Sequence, residues 1–220
     1  MDRAFRKYFS QADLDRITAA VRSAEAATSG EIVPYVVLQS DAYFEAAWRA
    51  AAVTGGVILL LGILVFLFVD VWLPLTLFEF MAAALFAALG VFALVHAVPS
   101  LKRRLVGRRL MDHRVRMRAE EAFLSEEVFK TRERTGILIF VSLLEHRVVV
   151  LGDSGINAKV TPEHWNGIVA MVAEGMKTGK PADGLVRAIG RCGEILAEHG
   201  VRRRPDDTDE LSDNLRMRKE

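Results

Sequence analysis

AVTGGVILLLGILVFLFVDVWLPLTLFEFMAAALFAALGVFALVHAV, residues 52–98, is the stretch on which the reading of this chain turns. A helix that crosses a bilayer needs about 20 predominantly apolar residues, and this block holds about two such lengths. Asp70 and Pro74 stand near its middle, and a proline stops a helix where a reversal needs it. The block therefore predicts a helical hairpin over residues 51–98 that enters a membrane and returns. The alternative is a buried helical pair in a soluble core, but soluble helices rarely run so far without a polar face.

Working outward, the flanking charges predict an orientation. Arg49 precedes the block; Lys102, Arg103, Arg104, Arg108 and Arg109 follow it, with Arg114, Arg116 and Arg118 beyond. The segment from Asp70 to Pro74 has no Lys or Arg. The bias of Lys and Arg in short loops sets topology. Both termini are expected in the cytoplasm, the hairpin in the inner (cell) membrane, and Trp48 and Trp72 at opposite interfaces. Glu79 and His96 are ionisable groups inside the block. Such groups raise a functional hypothesis, but each lies near a predicted helix end, where it can snorkel to the interface. The basic run suits anionic lipid headgroups, at about 1 kcal/mol per residue near the surface. It could also attract nucleic acid, yet it directly follows a span and lacks stacking aromatics, so no nucleic-acid partner is expected.

The 220 residues carry a formal net charge of +1, so bulk charge selects no partner. Outside the hairpin there is chain for about one domain. A single cysteine, Cys192, excludes an internal disulfide and a multi-cysteine metal site. Met1–Ser10 lacks an apolar core, so no cleavable signal peptide is expected.

Ser10 followed by Asp13 reads as a helix start, with Leu14, Ile17, Val21 and Ala24 at helical spacing. Gly30 suits the end of that helix. Glu31–Leu38 reads as a strand in which Pro34 favours an edge or a bulge. Ala42–Arg49 leads helically into the first span. Met111–Arg134 reads as one long helix. Gly136–Ser142 and Arg147–Leu151 are strands joined as a hairpin. Thr161-Pro162 opens a helix with Trp165, Ile168, Val169 and Val172 on one face. A last helix from Pro181 buries Leu185, Ile189, Cys192 and Leu196. The tail is charged and poor in apolar residues.

This order implies a layered α/β domain, interrupted by the two-helix hairpin. Residues 1–50 form its first part, 99–200 its second, and 201–220 a disordered tail. The strand before the insert cannot make a sheet without those after it.

Phe9-Ser10, Ala24-Glu25, Thr28-Ser29-Gly30-Glu31-Ile32, Arg132–Ser142 and Arg147–Ile156, with Trp165–Met171 and the final helix, together resemble TPM domains. The resemblance covers most of the chain outside the hairpin and implies an α/β sandwich. Among such proteins some are associated with divalent-metal binding, acid phosphatase activity or photosystem repair, and many are membrane-anchored. The mid-domain hairpin sets this chain apart from members with a terminal anchor.

Gly152-Asp153-Ser154-Gly155 invites a serine-nucleophile reading, which requires an oriented histidine base; His146 and His164 are near in sequence. The plainer reading is a tight loop after a strand. Asp153 could instead ligate Ca²⁺ or Mg²⁺, which take oxygen donors, with Asn157 and Glu163 nearby. No phosphate cradle or cysteine–arginine loop accompanies it. Cys192 reads as a small core residue. The function expected is an integral membrane protein that presents a TPM-like interaction or scaffolding domain to unidentified protein partners at the cytoplasmic face. The alternative is a divalent-metal-dependent, phosphatase-like hydrolase using Asp153.

Overall fold

Ser10 does cap a helix. Its side-chain oxygen accepts the Asp13 N–H at 3.1 Å, and the Asp13 carboxylate accepts the Ser10 N–H at 2.9 Å. This reciprocal box satisfies two donors that a helix start otherwise orphans. It opens α1 (Gln11–Glu25). The structure is a computed structural model that describes residues 3–68, 77–201, 203 and 210–219. The segment Asp70–Pro74, expected to reverse the hairpin, lies outside the described residues. The described chain divides into two compact units, residues 1–41 with 112–220, and residues 42–111.

The first unit is built on a four-stranded sheet. Its strands are β1 (Ile32–Val37), β2 (Ile137–Ser142), β3 (Arg147–Gly152) and β4 (Arg216–Arg218), in the order β3-β2-β1-β4. β1 runs parallel to β2 and β4, and β2 pairs antiparallel with β3. Every residue of β1 and β2 is buried. Strands covered on both faces read as continuous apolar runs, and IVPYVV and ILIFVS do so.

Alternate side chains point to opposite faces. Ile32, Val36, Ile137, Ile139 and Val141 face α1, α7 (Pro162–Lys177) and α8 (Pro181–Glu198), meeting Ile17, Val21, Ile168, Leu185, Ile189 and Cys192. Val33, Tyr35, Leu138 and Phe140 face α5 (Arg108–Ser125) and meet Val115, Ala119 and Ala122. The Tyr35 and Phe140 rings stack there at 5.7 Å. The result is the α/β sandwich the sequence implies, and β1, which precedes the apolar block, is held by strands that follow it.

Three local expectations are corrected. Pro34 does not mark an edge. The carbonyls of Glu31 and Val37 accept from Ile137 and Leu143, whereas Leu38 donates to Arg218, so odd residues of β1 serve β2 and even ones serve β4. Pro34 falls on the β4 side one residue before that pairing begins at Tyr35, and its missing N–H costs no ladder bond. The long helix expected to reach Arg134 ends at Ser125. Glu127 takes a left-handed φ of 55° and a 3-10 turn covers Val128–Lys130. That turn carries Val128 beneath the start of β2, where its carbonyl occupies the space a Cβ on Gly136 would need. The tail is not wholly disordered, because residues 216–218 form β4. Leu215 and Met217 pack on the core, and Arg22 pairs with Asp213 at 2.6 Å. A free sheet edge and an apolar surface order a segment whose own composition predicts no strand.

In the second unit, α2 (Phe44–Phe68) and α3 (Leu77–Ala97) pack against each other, with α4 (Pro99–Leu105) beside both. Phe44 stacks on His96 at 5.3 Å, Trp48 lies 4.7 Å from Phe92, and Gly62 faces the Phe80 ring. Numbers rising on α2 meet numbers falling on α3, so the helices are antiparallel. Small residues sit in that contact: Gly55 lies against Ala84 and Ala88, and Gly62 against Phe80, which lets the two helices approach closely. Both helices are long and apolar enough to cross a membrane.

Candidate functional site

Asp153 closes β3 and is 5% exposed. One carboxylate oxygen accepts the Ser154 N–H at 2.6 Å and so caps α6 (Ser154–Asn157). The other lies 2.8 Å from Arg134 Nε as an ion pair. Asn157 spends its amide on the Gly152 carbonyl, and Glu163 is exposed at the start of α7. Among the described residues no three His, Cys, Asp or Glu side chains gather as a metal set. A calcium ion takes 6–8 oxygens, and this position offers one carboxylate already faced by a guanidinium. The residues around Asp153 do not fit Ca²⁺ or Mg²⁺.

The glycines of Gly152-Asp153-Ser154-Gly155 have a packing cause. A Cβ on Gly155 would run into the carbonyl oxygens of Glu133 and Arg134, and the Gly155 N–H donates to that Arg134 carbonyl at 2.9 Å. Ser154 is exposed at the start of α6. His164 turns Nδ1 to the Thr161 hydroxyl at 3.0 Å and sets its ring edge-on to His199 at 5.2 Å. His199 in turn contacts the Ile195 carbonyl at 2.8 Å. His164 is thus oriented within the α7–α8 layer. The tetrapeptide is a tight strand-to-helix loop.

A polar cluster that sequence reasoning missed lies at the carboxyl ends of parallel β1 and β2. Glu145, 2% exposed, accepts the Ser40 N–H at 2.9 Å and the Ser142 hydroxyl, and the Ser40 hydroxyl donates to Ser142 at 3.0 Å. It ties the β2–β3 turn to the end of β1. His146 supports that turn with a left-handed φ of 52°. Glu145 looks in sequence like any turn acid; only the pairing of β1 with β2 brings Ser40 to it.

The second unit carries a broad exposed apolar surface among the described residues. Trp48, Leu60, Leu61, Phe66, Leu67, Phe78 and Phe86 are exposed, Phe66 to 87%. Soluble monomers rarely show contiguous apolar patches beyond a few hundred Å². Of the basic residues that follow, Arg103, Arg104, Arg108 and Arg109 are exposed, whereas Lys102 is buried. Cys192 is fully buried, and burial pushes its thiol up to about 12.

No curated protein matches this chain. The NMR structure of the BA42 protein from the psychrophilic bacterium Bizionia argentinensis is similar in fold. The TM-score is 0.59, with 20% identity over 96% of this chain and 95% of that one. The TPM domain family matches residues 82–195. That match covers about half of the chain, from within α3 to within α8, and the chain belongs to the TPM domain family.

Proposed function

We propose that the chain is an integral membrane protein whose α2–α3 hairpin holds a TPM domain at the cytoplasmic face of the inner membrane, where the domain docks protein partners. The supporting observation is the outward surface of α2 and α3. It is almost wholly apolar and exposed, and leaving it in water forgoes about 25 cal/mol for each Å². At 25 residues, α2 is about 37 Å long, against a bilayer core of about 30 Å. Exposed Arg103, Arg104, Arg108 and Arg109 favour anionic headgroups on the same side. A docking role accords with the geometry at Asp153, whose carboxylate is committed to a cap and an ion pair.

The experiment has two arms. Alkaline carbonate should leave the protein in the membrane pellet, and release into the supernatant overturns the anchor. Single cysteines at Ser10 and at Trp72 should be labelled from the cytoplasm and from outside respectively, and the reverse pattern overturns the orientation. In-cell crosslinking from the cytoplasmic side then identifies the partners.

A further inference from the structure

Strand β3 is an edge of the sheet, bonded on one side to β2. The Asp153 N–H donates to the Gly136 carbonyl at 2.9 Å. By the alternation of an antiparallel ladder, Arg147, Val149 and Leu151 then bond to β2, while Val148, Val150 and Gly152 turn their N–H and C=O outward. The Gly152 carbonyl is taken by the Asn157 amide. The outward groups of Val148 and Val150 have no protein partner among the described residues.

Sheet edges are normally blunted by charge, proline, bulges or shortness. β4 has two of these devices: it is three residues long, and Arg216 and Arg218 both turn to Glu126, at 3.2 and 3.9 Å. β3 has neither. It runs six residues as RVVVLG, and its one charge, Arg147, is already paired with Asp112 at 2.6 Å. Its valines are half-buried on both faces, Val148 and Val150 against one core and Val149 against the other.

We propose that two copies of this chain join edge to edge through β3, antiparallel about a twofold axis at Val149, making one continuous sheet. The outward hydrogen-bonding groups are self-complementary, so a second copy can satisfy them, and they constrain the register. With Val149 opposite its own copy, Val148 faces the partner's Val150 and each pair exchanges two bonds. All outward groups of residues 148–150 are then satisfied. A register centred on Val150 would need the Gly152 carbonyl, which Asn157 holds. The facing valines carry no charge, so the copies meet without repulsion. The half-exposed valine rows on the two faces each continue into the partner's.

The test is oxidative crosslinking of the full chain in detergent, where buried Cys192 contributes little background. In a non-bonded antiparallel pair the Cα atoms lie about 4.5 Å apart, within the span a disulfide bridges. Val149→Cys should therefore form a covalent dimer, at least about five-fold more than Val148→Cys or Val150→Cys, whose own copies lie off the axis. Adding Val150→Pro to the Val149→Cys chain should abolish the crosslink. Its N–H faces outward, so the proline removes no bond to β2, and circular dichroism should stay unchanged. Equal crosslinking at all three positions, or none at Val149, overturns the proposal whatever the fate of the proline variant. A Val149→Cys crosslink to a different protein also overturns it, by assigning the edge to a foreign strand.

Discussion

Asp153 carries the plainest lesson at the scale of a residue. A carboxylate after a strand invites a metal, but this one holds the Ser154 N–H and faces Arg134. Asp153→Ala should cost about 1 kcal/mol through loss of the cap, Asp153→Asn should keep the cap and cost less, and neither loss should depend on added Ca²⁺. Thermal melts in detergent with and without the ion check this. A second prediction concerns Asp13, whose carboxyl is held below its ordinary 3.8 chiefly by the Ser10 backbone N–H and then by the Ser10 hydroxyl. A depressed folded value means stability that is present above the unfolded value and lost as pH falls through the folded one. The stability gap between wild type and Asp13→Asn should therefore be present at neutral pH and close as pH drops below 3.8. A gap that persists in acid would remove the box from the account. Cys192, buried and protonated, should resist thiol reagents until the chain is denatured.

Among the elements, β4 shows where sequence reading stops. The capping box, the 137–152 hairpin, α7 with its Pro162, and α8 with its buried Leu185, Ile189 and Cys192 are legible because each is written in local chemistry. β4 is not, since two of its three residues are arginines and its strand state comes from the open side of β1. The end of α5 is hidden for a similar reason: Glu127 turns left-handed with neither Gly nor Pro to announce it. The Ser40–Ser142–Glu145 cluster depends on a pairing between residues about a hundred positions apart, which no local pattern encodes. Truncation before Ser212 should remove β4 together with the packing of Leu215 and Met217. We expect a loss of about 2 kcal/mol for the two half-buried side chains, read as a lower denaturant midpoint with α2 and α3 unaffected.

For the whole molecule, the apolar unit and the charges beside it set the prediction. If arginines hold the orientation, weakening them and charging the opposite loop should invert it. Changing Arg103, Arg104, Arg108 and Arg109 to Gln, with lysines at Val71 and Leu73, should give a mixed or reversed pattern of cysteine labelling at Ser10. An unchanged pattern would mean that something other than Lys/Arg bias orients the hairpin. The family match runs over residues 82–195, from within α3 onward, and residues 42–111 form a compact unit of their own that interrupts the sandwich in sequence.

That interruption has a consequence in time. β1 is made early, yet both its neighbours, β2 and β4, are encoded after the apolar helices. Its backbone groups must wait, solvated or guarded by chaperones, while about a hundred further residues are synthesised, at about 5–20 residues per second. Contacts so distant along the chain form slowly. The sheet can close only after the hairpin has left the ribosome, so in the proposed membrane setting insertion precedes maturation of the domain. Until β2 and β4 have been made, the IVPYVV segment stays unpaired and open to proteolysis.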